Sequence, residues 1–220
     1  MKKITAALLS VLLLLSLTAC EGFNLTDLFI NEPDWDTVTI ETPTKGSAYK
    51  YYYELLSNKE KQSYVNILDI IHTFPEAIEI PFLDESELTK VFEALLYDNP
   101  ELFFLDRNCT TTRRGTKAYF NAQYLISLSD YAAQKQALFD TARDIVAQTE
   151  GMSAFDKELF IHDYLVRLII YDDADEGTES NAYGALILGK AACEGYAKAT
   201  KLLLDMAGIE CYVVNGSAVN

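Results

Sequence analysis

"GKAACEGYAKATKLLLDMAGIECYVVNG", residues 189–216, is the stretch on which the architecture turns. Ala197, Ala199, Leu202, Leu203 and Met206 recur at helical spacing, which predicts a helix from Cys193 until Gly208 stops it. "IECYVV" (209–214) then reads as a strand. Cys193 sits at the mouth of this helix, between Gly189 and Gly195. Its thiol is either small core filler or a group the fold presents. In the second case, unpaired N–H groups and the helix dipole favour the thiolate. The same donors can hold the oxyanion of an acyl transfer. The two glycines would let a backbone approach a substrate without a side chain in the way. Glu194 acts against this by adding a second negative charge. On these residues alone both readings stay open.

The other end of the chain says where it works. Lys2 and Lys3 precede an apolar run, Ile4 to Leu17, broken only by Thr5, Ser10 and Ser16. The run is too short to span a bilayer and reads as a secretory signal over residues 1–19. It ends in "LTAC" (17–20), which resembles the lipobox of bacterial lipoproteins. That resemblance implies cleavage before Cys20, lipid on its sulfur, and an extracytoplasmic protein held to the bacterial membrane. Several acyl chains on one residue suffice for a stable anchor.

Taking Lys2 and Lys3 from the 18 basic side chains leaves 16 against 33 acidic ones, a net charge of −17. Such a surface repels nucleic acid and anionic lipid, so neither is expected as a partner beyond the lipid tether itself. With Cys20 set aside, Cys109, Cys193 and Cys211 remain, an odd number that argues against a disulfide framework. Two histidines, with no close Cys/His pairs, argue against a structural zinc site. No metal and no organic cofactor are expected.

Along the chain, residues 20–48 read as a tether with Trp35 as its one large anchor. Residues 49–150 read as a helical region with a β-hairpin. "SNKE" (57–60) fits a capping box ahead of Tyr64, Ile67, Leu68 and Ile71. "DESE" (84–87) opens a helix with Leu88, Val91, Phe92 and Leu95 inside. Residues 103–112 and 117–127 flank Gly115 as a hairpin, and a helix runs from Asp130 to Glu150, stopped by Gly151. "SAFD" (153–156) caps a further helix, apolar on most sides through Phe155, Leu159, Ile161, Leu165, Leu168 and Ile169. It is predicted to be central and buried. His162 shares the face of Phe155, Leu159 and Val166 and reads as a packing residue. "DDADEGTES" (172–180) holds five carboxylates but fits no EF-hand spacing, and reads as an acidic surface loop.

The stretch "SNAYGALILGKAACEGYAKATKLLLDMAGIECYVVNGSA" (180–218) resembles the nucleophile segment of the bacterial transglutaminase-like superfamily, with a papain-like fold. The matching elements run in order: "AYGAL", a glycine, "CEGYA", a helix, "AGI", and an extended stretch ending in "VNG". "IHDYLVRLIIYD" (161–172) is similar to the helix before that segment, and "DNPELFFL" (98–105) to a region found in some extracellular members. The resemblance covers residues 155–218 well and 50–150 loosely. It implies an α+β fold in which 151–220 form the N-terminal half of a transglutaminase-like core. It further implies Cys193 as the nucleophile, acting on a protein or peptide substrate. The family's histidine and aspartate lie on strands after the Gly-Ser-Ala region, and this chain ends at Asn220 before either. The core is therefore expected to be truncated, with the triad incomplete. Neither His162 nor His72 is assigned as base. A non-catalytic binding or scaffolding lipoprotein that keeps the fold is the alternative.

Overall fold

Ser57 and Asp84 each begin a helix by the same exchange of hydrogen bonds. The Ser57 hydroxyl accepts from the Glu60 N–H, while the Glu60 carboxylate accepts from the Ser57 N–H at 2.6 Å. Asp84 and Glu87 repeat the exchange at 2.8 and 2.9 Å. The computed structural model describes residues 33–47, 49–174 and 176–216. The expected signal segment and Cys20 lie outside the described residues.

A short helix, α1 (Tyr51–Glu54), precedes the two capped ones, α2 (Asn58–Ile70) and α3 (Glu85–Asp98). Tyr64, Ile67 and Leu68 of α2 are buried with Val91, Phe92 and Leu95 of α3, as their spacing predicts. The hairpin forms from β2 (Leu105–Arg114) and β3 (Lys117–Tyr124), with Gly115 at φ +65° in its turn. A third strand, β1 (Ile78–Ile80), pairs antiparallel with β3 and gives the order β1-β3-β2. The sequence does not disclose β1, because three residues are too few to show a period. Ile78, Ile80, Ala118 and Phe120 bury one face of this sheet.

Helices α4 (Leu128–Ala147) and α5 (Ala154–Leu168) start at Ser127 and Ser153, each hydroxyl accepting from an N–H three residues on. Between them Gly151 takes φ +79°. A two-stranded parallel sheet, β4 (Ile170–Tyr171) with β5 (Lys190–Ala191), then leads into α6 (Cys193–Met206). The molecule mixes helices with a small antiparallel sheet, the α+β class expected.

Several expectations are corrected. Helix α5 is not the central one: Phe155 is 71% exposed, Leu159 49% and Val166 58%, and only Ile161 and Leu165 are buried on it. Helix α6 takes that place, packed on α4, α5 and the turn Thr178–Ser180, with Ala199, Lys201, Leu202 and Leu203 buried. An apolar pattern on most sides of a helix does not say which sides are covered. His162 does not pack; its side chain is 70% exposed beside Asp163. Residues 209–214 form no strand, and they are held by other means. The Tyr52 hydroxyl donates to the Val213 carbonyl at 2.5 Å, Lys201 donates to the Cys211 carbonyl at 3.0 Å, and Tyr212 stacks on Tyr51. The acidic loop ends inside the protein, where Glu179, Ser180 and Asn181 are buried. Ahead of Tyr49, the Trp35 carbonyl accepts from Asn58, the Glu41 carbonyl from Tyr53, and Lys45 pairs with Asp69.

Candidate active site

Three local features put Cys193 where it is. Gly189 adopts φ +68°, closing the π-helical turn Gly184–Leu188. Strand β5 follows, and the Ala192 N–H donates to the Glu179 carbonyl at 2.8 Å. Ala192 is then extended, and α6 begins at Cys193 without a side-chain cap. The first-turn amides therefore have no capping oxygen, which leaves them available to an anion. Gly195 serves a purpose other than substrate access. A Cβ there would collide with the Glu179 carbonyl and the Ala191 side chain, so the glycine lets α6 lie directly on the 178–180 turn.

Cys193 is exposed, whereas Cys109 and Cys211 are half-buried. Burial pushes both of the latter thiols up to about 11. Cys193 opens into a cleft of about 790 Å³. One wall is α6 with Cys193, Glu194 and Ala197; the opposite wall is α3, with Leu88, Phe92 and Tyr97; β2 contributes Arg107 and Cys109. Residues 213–216 close the cleft, and Asn215 donates to the Tyr97 hydroxyl at 3.0 Å. Burial, followed by the carboxylates of Glu194 and Glu93, pushes the Tyr97 phenol up to about 12, so it stays protonated.

Glu194 forms an ion pair with Lys198 at 2.7 Å. Lys198 is 5% exposed, and burial pulls its pKa down against the opposing pull of Glu194. Its ammonium also lies 5.9 Å from the centre of the Tyr97 ring. Neither histidine reaches this cleft. His162 is on the outer face of α5, and His72 lines a separate hollow with Lys45, Glu101 and Asp205. Burial, then Lys45 and Lys135, lowers the His72 pKa. The described residues thus bring together a thiol, uncapped amides, a phenol and an ion pair, without an imidazole.

Of the residues gathered at this cleft, the sequence singles out Cys193, with Glu194 as an opposing charge, and gives no sign of Tyr97, Lys198 or Asn215. Tyr97 and Asn215 meet 118 positions apart in the chain, and no local pattern signals that. Residues 140–220 match the family model of the transglutaminase-like superfamily, a span that contains α5, β4, β5, α6 and Cys193. A search of the curated proteins found no match.

Proposed function

We propose that this is a lipid-anchored, extracytoplasmic transglutaminase-like protein in which Cys193 performs acyl transfer on carboxamide or peptide bonds. The observation that carries the reading is an exposed thiol at the uncapped start of α6, facing a cleft, inside the span that matches the superfamily. The Cys193 thiolate forms a bond to the carbonyl carbon, and the oxyanion is held by the first-turn amides. The C–N bond then breaks, the leaving nitrogen takes a proton from the general acid, and a thioester remains. An amine or water then attacks the thioester carbon and the C–S bond breaks; the nucleophile's proton passes by way of the base to the departing thiolate, which regenerates the Cys193 thiol and gives a cross-link or a hydrolysed product.

Among the described residues no imidazole lies beside Cys193, so this reading needs a histidine base and an orienting aspartate of the kind the resemblance implies. A form of the protein that carries both is expected to incorporate amines into glutamine peptides or to hydrolyse them, and Cys193→Ala should remove at least about a thousandfold of the rate. Residues 21–220 by themselves should show no turnover above background. Turnover by that form, dependent on Cys193, would mean that His72 or His162 is wrongly passed over. The alternative is a binding or scaffolding lipoprotein that keeps the fold; it takes the lack of an imidazole beside Cys193 among the described residues at face value. No acyl transfer by a form with the triad complete would select it.

A further inference from the structure

We infer that Lys198 is a positioning residue for the Cys193 thiolate: it holds the Glu194 carboxylate down the helix and neutralises its charge. This rests on the reading of Cys193 as a nucleophile. Glu194 shares the first turn of α6 with Cys193 and lines the same cleft. A free carboxylate there would oppose a thiolate and compete with it for the same amides. Lys198, one turn on, meets that carboxylate at 2.7 Å.

The cost of the arrangement is the argument for a role. Lys198 is 5% exposed, and a buried ammonium is expensive unless a partner compensates it. An unbranched apolar side chain of similar length would fill the same space more cheaply. Arg107 of β2 lies close enough to oppose the Lys198 charge, and Tyr97 of α3 offers only its ring face. Among the described residues the ion pair of this buried ammonium is with the Glu194 carboxylate.

The groups facing Cys193 across the cleft make the compensation matter. Glu85 and Glu93 of α3 add negative charge to the mouth, against Arg107 of β2, while Tyr97 stays neutral. Removing Lys198 leaves the Glu194 carboxylate uncompensated in the turn that carries Cys193, so a thiolate there faces one more unpaired negative charge.

The test is the rate of iodoacetamide alkylation of Cys193 between pH 5 and 10, read by peptide mass spectrometry in the folded protein. Lys198→Met is expected to shift the profile to higher pH and to slow alkylation at pH 7 about three- to tenfold. Glu194→Gln with Lys198→Met should restore the wild-type rate, because the unpaired charge is gone. Should Lys198→Met not fold, Lys198→Gln carries the same expectation. An unchanged profile in a folded lysine variant overturns the positioning role and leaves the nucleophile reading intact, since a merely structural lysine would lower the melting temperature alone. A wild-type Cys193 that alkylates only after denaturation overturns both.

Discussion

The Ser47 hydroxyl donates to Oδ2 of Asp205 at 2.5 Å, joining residues 158 positions apart. The same carboxylate pairs with Lys201 at 3.1 Å, and Lys201 also donates to the carbonyls of Tyr49 and Cys211. The last turns of α6 therefore clamp the segment entering α1 and the segment leaving α6. Lys50 adds a bond from its ammonium to the Ser47 carbonyl. The cleft holding Cys193 depends on this, because residues 213–216 form one of its edges.

Lys201 is 1% exposed. Removing it takes the cation from the Asp205 carboxylate and leaves it the Ser47 hydroxyl, so Lys201→Ala should cost about 3 kcal/mol in urea unfolding. Lys201→Met with Asp205→Leu should cost less than the single change. Equal losses would mean that the polar clamp contributes nothing beyond packing.

Among the three described thiols, Cys193 should alkylate at least about tenfold faster than Cys109 or Cys211 near pH 7.5. Burial keeps the other two protonated, with both pushed up to about 11, whereas Cys193 is exposed. Peptide-resolved labelling of the native protein measures the order directly.

Alanine usually stabilises a helix relative to glycine by about 1 kcal/mol. Gly195→Ala should reverse that sign and destabilise by about 1–3 kcal/mol, since its Cβ meets the Glu179 carbonyl and backbone must move. Gly115→Ala, whose Cβ would meet open space, should lose only the cost of φ +65°. Thermal melts of the two variants separate these causes.

Asp98 is fully buried and accepts from the N–H groups of Tyr52 and Tyr53 at 3.0 and 2.8 Å. Burial outweighs those bonds and pushes its carboxyl up to about 6. The folded state therefore binds this proton more tightly than the unfolded chain. Its contribution is full below about pH 4 and is lost as pH rises to about 6. Glu101, pushed up to about 7 by burial, acts in the same direction. The melting temperature should fall between pH 4.5 and 7, and Asp98→Asn should flatten that slope in part. A melting temperature that rises over this window would contradict the assignment.

The proposed membrane tether rests on "LTAC" (17–20) after the apolar run. A fatty-acid probe fed to cells expressing the precursor should label the protein, and Cys20→Ala should abolish the label. Release of an unlabelled wild type into the medium would sink the lipoprotein reading.

What the sequence determined by itself is local. Ser57 with Glu60 and Asp84 with Glu87 are capping boxes because each bond closes within three residues, and Gly115 marks its turn for a similar reason. Gly189 and the apolar spacing after Cys193 put the thiol at a helix start. The tertiary structure decided everything that depends on long chain separations. Helix α5 has an apolar pattern fit for a core, yet only one stripe finds neighbours, while α6 is central although it carries Lys198 and Lys201. "IECYVV" has the composition of a strand, but the hydroxyl of Tyr52 and the ammonium of Lys201 hold its backbone instead of a sheet. Periodicity reports which faces of an element can be buried; which of them are covered depends on segments as far away as Tyr52 is from Val213.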